Sequence, residues 1–411
     1  MAATRKYPVI DTDVHHMFSS GVGNLAGVAG YLSDHWREYI GYGKDLKPNG
    51  SALYRMPGGG MFPNPRTSIM DSAFVGGAGY PGSDPEFMAK DHLDRYDIEY
   101  AVLLPGSTLS LGGITNADFA NDIMRATNNW TQKEWLERDS RFLGSILVYP
   151  RDPGASAAEI RRLAGDKRFV QVAMNYPPCL MGNRQLWPIY EAANEAGLPV
   201  ALHPGGSHSG ANPGNSAAGS ESSFFELHVS IGFPAQGHVL SLIAEGVFEK
   251  FPNMKVAIVE YGLAWLPFLM WRMDMEYRSN RDDVPWLTKL PSDYVHEFFR
   301  FTTQPLEIPT VRRAGTGTTV QGKADPERLI QLLSLVDGQD LLMFSSDYPH
   351  WDFDNPDFVI KDFPPEWQER ILHKNARDFY KIDQRVGKPA RRPVLTGAGS
   401  RSGEGAGEAG K

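Results

Sequence analysis

Short apolar runs followed by longer stretches with apolar positions three and four apart repeat along most of this chain. The runs are Val9 to Val14, Tyr100 to Leu104, Phe142 to Val148, Phe169 to Met174, Leu198 to Leu202, Lys255 to Val259, Phe299 to Thr303 and Leu341 to Phe344. Each is bounded by polar or turn-forming residues and is short enough for a buried strand. The stretches with helical spacing are Phe87 to Tyr96, Ala117 to Arg138, Ala155 to Ala164, Leu186 to Ala196, Val239 to Glu249, Pro267 to Tyr277, Pro326 to Leu335 and Glu366 to Tyr380. Strand–helix alternation implies parallel βαβ units. Eight such strands predict an α/β fold, a closed (β/α)₈ TIM-like barrel. An open doubly wound sheet is the alternative, and no glycine fingerprint follows the first strand to support a dinucleotide fold.

Two segments interrupt this rhythm, both rich in Gly. Residues 21–85, after the first strand, carry Pro57-Gly-Gly-Gly60 and Gly76-Gly-Ala-Gly79. Residues 205–223 follow the fifth strand. Loops of that length are usually lids, binding loops or disordered. The predicted organisation is one barrel domain over 1–387, with 21–85 as an insertion or lid and 205–223 as a loop insertion. A tail over 388–411 has only Val394 and Leu395 as large apolar groups and is expected to be disordered.

A barrel needs roughly 250 residues, so the 411 residues leave room for these insertions. The net charge of −8 argues against nucleic acid as a partner. No apolar run approaches membrane-spanning length, and Met1 to Pro8 has no signal-like apolar core. The single cysteine, Cys179, cannot form an internal disulfide, in keeping with a cytoplasmic location. A small-molecule substrate and a homodimer or homotetramer are expected, with no membrane.

Chemistry gathers where the runs stop. In Ile10-Asp-Thr-Asp13-Val-His15, residues two apart share a strand face, so Asp13 and His15 project together, with Asp11 one step deeper. Alone, this is as readily a polar strand end. Pro199-Val-Ala-Leu-His203 ends abruptly in an imidazole before Pro204, and alone it favours a satisfied structural histidine. Phe344-Ser-Ser-Asp347 ends in a carboxylate that can ligate a cation, act as general base or cap a loop. His350, three residues on, is placed to touch substrate. Lys255-Val-Ala-Ile-Val-Glu260 ends in a carboxylate that alone reads as an ion pair. Together these residues occupy the C-terminal ends of predicted strands one, five, six and eight, the catalytic face of such barrels. Coincidence on one face points to a metal or acid–base site. Of the other histidines, His238 reads as structural. His35, His92, His296 and His373 read as surface residues. His16, His208 and His228 are left open. Trp265 and Trp271 read as packing, and Trp351 as the better candidate for stacking on substrate.

With these residues in place, the chain resembles the amidohydrolase superfamily, in the branch of aminocarboxymuconate-semialdehyde decarboxylase and γ-resorcylate decarboxylase. The resemblance covers roughly residues 7 to 383. It rests on Asp13-x-His15, Leu202-His203-Pro204, Glu260-Tyr-Gly262, Leu266-Pro-Phe-Leu-Met-Trp-Arg-Met-Asp274, Phe344-Ser-Ser-Asp347-Tyr-Pro349 and Asn375-Ala-x-x-Phe-Tyr380. It implies one divalent metal on His15, His203 and Asp347, with Asp13 joining by position where the family has His or Glu. The family commonly has His-x-Gly where Glu260-Tyr-Gly262 stands, so the acid–base role of that His does not transfer unchanged.

Two imidazoles and two carboxylates suit Zn²⁺, with Mn²⁺ as the second choice. The chemistry placed first is hydrolysis of an amide, ester or lactone of a small cyclic or aromatic substrate. A metal-activated water would attack, with Asp347 as general base and Glu260 and His350 as further catalytic candidates. The alternative is non-oxidative decarboxylation of an aromatic or muconate-type acid. A second alternative is a metal-binding barrel without turnover.

Overall fold

In the computed structural model, residues 7–20, 25–46, 69–70, 73, 79–109, 111–175, 177–204, 221–312 and 322–389 are described. Eight parallel strands run in sequential order around one sheet: β1 (Val9–His16), β2 (Ile98–Pro105), β3 (Phe142–Leu147), β4 (Phe169–Ala173), β5 (Val200–Leu202), β6 (Val256–Ile258), β7 (Phe299–Thr302) and β8 (Leu342–Met343). The first and last strands meet through Thr12 N–H to the Phe344 carbonyl at 3.0 Å and His15 N–H to the Tyr348 carbonyl at 2.7 Å. This is the (β/α)₈ barrel that the alternation predicts, with every predicted strand in place.

The sequence explains the two layers. Ile10, Val102, Leu104, Leu143, Val170, Ala173, Ala201, Ala257, Val259 and Met343 fill the barrel interior. Ala376, Phe379, Tyr380 and Ile382 close its N-terminal end. A larger apolar cluster, with Val9, Leu103, Ile146, Val172, Val200 and Phe301 on the strands, packs against the helical jacket. Strands buried on both faces read as continuous apolar runs rather than as alternation.

Predicted Val239–Glu249 is two helices, Gly232–Ala244 and Val247–Lys250. Gly246, with φ of +69°, turns the chain between them, which a residue bearing a Cβ rarely does. The predicted pattern also passes over the helices Phe224–Val229 and Pro291–Phe298. A two-stranded antiparallel pair, Thr310–Arg312 with Gly322–Ala324, was likewise not anticipated. Much of 21–85 and 205–223, and the tail beyond 389, lie outside the described residues. Of the first insertion, Ile69 bridges to His350 and Met70 donates its N–H to the Pro349 carbonyl at 2.9 Å. No described helix is long and apolar enough to cross a membrane.

Candidate metal centre

Strand β1 does not keep the simple alternation assumed above. Its pairing with β2 slips between Asp11 and Val14, placing one extra residue there. Such a bulge reverses which face the later residues use. Ile10 therefore lies inside the barrel, Asp11 points into the jacket, and Asp13 and His15 face the mouth. The expectation that Asp11 shares a face with Asp13 is corrected. Asp11 instead ties the strand to its surroundings. Its carboxylate accepts from Ser346 N–H at 2.9 Å and Asp13 N–H at 3.3 Å, and meets His92 Nε2 at 2.7 Å. His92, read from the sequence as a surface residue, is fully buried and stacks on Tyr348. The polar neighbours on its helix concealed that its ring packs inward. Because its partners are buried and would be left unsatisfied, Asp11→Ala is expected to cost about 3 kcal/mol or more of unfolding free energy, at about 1–3 kcal/mol for each unpaired group. Urea unfolding checks this, and a loss below about 1 kcal/mol would make the pair incidental.

Short apolar strands carry the other groups to the same end. Val200–Leu202 delivers His203, whose Nδ1 donates to the Pro204 carbonyl. A carbonyl only accepts, so Nδ1 carries a proton and Nε2 is the nitrogen that faces the site, its lone pair available to a cation once the ring is neutral. Val256–Ile258 leads to Glu260, with φ of +61°. Leu342–Met343 leads to Asp347, with φ of +59°. A left-handed backbone at a residue other than glycine costs about 1–3 kcal/mol and persists only where the surroundings enforce it. Here Glu260 N–H is held by Thr302 Oγ1 at 3.0 Å, and Asp347 N–H by the Asp13 carbonyl at 3.1 Å.

The side chains converge. His15 Nε2 lies 3.0 Å from Asp347 Oδ1 and 3.5 Å from Asp13 Oδ1. His203 Nε2 lies 3.0 Å from Glu260 Oε2 and 3.6 Å from Asp13 Oδ2. One ligand atom from each of Asp13, His15, His203, Glu260 and Asp347 falls within 4.8 Å of all the others, and all five residues are buried. Both oxygens of Asp13, Nε2 of His15, Nε2 of His203 and Oδ2 of Asp347 have no partner in hydrogen-bonding geometry. Buried polar atoms are seldom left so. Among the described residues no Lys or Arg is in ion-pair contact with the three carboxylates. Like charges at such distances repel by roughly 3–4 kcal/mol per pair at an effective dielectric near 20. A divalent cation meets both deficits, so the donor set fits a metal.

The electrostatics follow from this crowding. Burial, reinforced by the Asp347 charge, pushes Glu260 up to about 7, although His203 opposes it. Burial depresses His15 well below its usual value. Burial works the same way on His203, but Asp13 and Glu260 lift it well above. His350 Nδ1 meets Asp347 Oδ1 at 2.7 Å. Burial again disfavours its charge, yet the Asp347 carboxylate raises His350 to about 9, which keeps it protonated at neutral pH.

Every residue singled out at a strand end is thus in one place: Asp13, His15, His203, Glu260, Asp347 and His350. The other histidines divide. His16 meets the Leu104 carbonyl at 2.9 Å and Thr131 Oγ1 at 2.7 Å, and stacks on Trp130, away from the site. His238 accepts from Met181 N–H at 3.2 Å, a structural role. His208 lies outside the described residues. His228 faces the mouth, with Nε2 3.3 Å from Asp352 Oδ2 and its ring against Phe224 and Trp351. Gln304 Nε2 holds the same Asp352 oxygen at 2.9 Å. Sequence reasoning did not single out Asp352, although it stands two residues past His350. A cleft of about 1090 Å³ lies beside this region, lined in part by Leu306, Ile308, Phe353, Asp354 and Phe358, and none of the five donors lines it.

Comparisons with known proteins place the chain in a family. The family model described as Amidohydrolase matches residues 12–382. The chain is 23% identical over 317 residues to a γ-resorcylate decarboxylase of Polaromonas sp., covering 71% of this chain and 86% of that one. It is 22% identical over 314 residues to a 2-amino-3-carboxymuconate-6-semialdehyde decarboxylase of Dictyostelium discoideum, covering 73% of this chain and 77% of that one. Among solved structures it resembles a 5-carboxyvanillate decarboxylase of Novosphingobium aromaticivorans, complexed with manganese and 4-hydroxy-3-methoxy-5-nitrobenzoic acid. That match has a TM-score of 0.60 at 20% identity and covers 92% of this chain and 96% of that one. These relatives are decarboxylases, and they overturn the expectation that hydrolysis of an amide, ester or lactone comes first. The donors alone could not separate the two chemistries, because the same cation and carboxylate serve either.

Proposed function

The chain belongs to the amidohydrolase family and is an enzyme of that superfamily, and from this premise we propose that it removes a carboxyl group, without oxidation, from an aromatic or muconate-type acid. The observation that carries the reading is the buried, partnerless donor cluster, lying within a stretch related to decarboxylases of such acids. Asp13, His15, His203 and Asp347 would hold the cation. When bound, it supplies positive charge to draw in the carboxylate and a neighbouring hydroxyl of the substrate. Mn²⁺ is favoured over the Zn²⁺ expected first, because the related 5-carboxyvanillate decarboxylase is complexed with manganese.

The protein's own groups handle the proton. The Asp347–His350 pair holds one between Oδ1 and Nδ1 over 2.7 Å. It delivers that proton to the ring carbon bearing the carboxyl group. The carbon–carbon bond then breaks, its electron pair restores the aromatic ring, and CO₂ leaves, so that carboxylate plus proton becomes arene plus CO₂. Trp351, His228 and Phe224 offer flat faces at the mouth for an aromatic substrate. Burial keeps water from the site, which strengthens the electrostatics there.

The test is a panel of hydroxybenzoates, methoxylated hydroxybenzoates and muconate-type acids, run with Mn²⁺-loaded protein. Stoichiometric CO₂ and the decarboxylated product from at least one are expected. Turnover of esters or lactones with no CO₂ from any acid would sink the proposal. A cytoplasmic location accords with one free cysteine. A homodimer or homotetramer accords with the exposed apolar side chains Phe225, Val229, Phe233, Phe268, Trp271 and Met275, because monomers seldom leave so much apolar surface in water.

A further inference from the structure

Five side chains, not four, point into the cluster, and the fifth is held there by a dedicated turn. Glu260 Oε2 lies 3.0 Å from His203 Nε2 and within the 4.8 Å span of all the other donors. Its left-handed backbone is pinned by Thr302 Oγ1. Two residues on, Gly262 has φ of +64°, and a Cβ there would collide with the Glu307 carboxylate. That carboxylate accepts from the N–H groups of Leu263 and Ala264 at 2.8 and 3.0 Å, fixing the turn that aims Glu260. A glutamate serving only as partner to His203 would leave a third carboxylate among two others, with no Lys or Arg in contact among the described residues.

We propose that Glu260 is a direct fifth ligand of the cation, so that three carboxylates and two imidazoles surround it, and that the added hard, charged oxygen narrows the usual advantage of Zn²⁺ over Mn²⁺. Zn²⁺ is content with four N- and O-donors, whereas oxygen-rich shells suit Mn²⁺. The resemblance to the family places a His-x-Gly here, so this shell belongs to the present chain. The proposal rests on the metal reading of the site.

The experiment uses full-length protein stripped with chelator and reloaded with MnCl₂ or ZnCl₂ alone. Wild type, Glu260→Gln, Glu260→Ala and His203→Ala are compared, with circular dichroism of the metal-free forms to check folding. Dissociation constants come from competition with a chromophoric chelator. Water-proton relaxation counts exchangeable waters on bound Mn²⁺. Glu260→Ala is expected to weaken Mn²⁺ at least about tenfold, to weaken Zn²⁺ less, and to add one exchangeable water. A glutamate that only oriented His203 would at most lower affinity and would add no water. Glu260→Gln keeps the shape and is expected to fold if the alanine variant does not, and it should still lose affinity for Mn²⁺ more than for Zn²⁺. Unchanged hydration in Glu260→Ala, or equal losses for both ions in Glu260→Gln, overturns the proposal. Failure of the wild type to bind either ion overturns the metal reading beneath it.

Discussion

Asp347→Asn is expected to lower turnover at least about a hundredfold, the scale of lost general acid–base catalysis, while part of the metal stays bound. The carboxylate has two jobs by geometry. Oδ1 meets His350 Nδ1 at 2.7 Å and His15 Nε2 at 3.0 Å, while Oδ2 is buried without a partner. An amide keeps the shape and offers one oxygen to a cation. It cannot take up or release a proton near neutral pH, and it removes the charge that keeps His350 protonated. The proton is therefore lost at both members of the pair. Steady-state CO₂ release, read with metal content on the same preparation, separates the roles. Low turnover with most of the metal present assigns the proton step to Asp347. Loss of both in proportion assigns it ligation alone. Full turnover with full metal would falsify the mechanism at its centre.

How much of this was legible in the sequence depends on the kind of signal. Asp13, His15, His203, Glu260 and Asp347 each end an apolar run, and in a barrel of parallel strands all such ends lie on one face. Composition and order alone therefore bring them together. Asp11 leaves the face that strict alternation predicts, because a bulge of one residue leaves no mark in hydrophobicity. His92 was misread because its immediate neighbours, Lys90, Asp91 and Asp94, are polar. Its burial arises from docking onto Asp11 and Tyr348, distant in sequence. The pairing of His228 with Asp352 joins a short helix after β5 to the loop after β8, a contact that no periodicity encodes. The reaction was placed wrongly for a chemical reason. Whether the site moves water or a ring proton is decided by the bound substrate, and donor spacing is silent on that.

His203→Ala is expected to lower bound metal from near one ion per chain to under about a tenth, and to abolish turnover with it. Among the described residues no other donor comes from β5, so the vacancy cannot be filled from nearby backbone. The remaining imidazole, His15, comes from β1 and already lies against Asp13 and Asp347. The set left behind is one imidazole and three carboxylates. Repulsion among those carboxylates then loses the partner that now sits 3.0 Å from Glu260 and 3.6 Å from Asp13. The metal-free variant should still fold, because His203 stands beyond the last residue of its strand and the barrel core beneath it is untouched. Elemental analysis after purification without chelator gives the metal content, and circular dichroism checks the fold. Imidazole added to the variant should restore part of the metal and part of the turnover, since the vacated volume matches the ring and a free imidazole supplies the same nitrogen. A folded variant that keeps its full complement of metal would remove His203 from the ligand set. The buried cluster would then have to be explained by proton sharing among its own carboxylates and imidazoles.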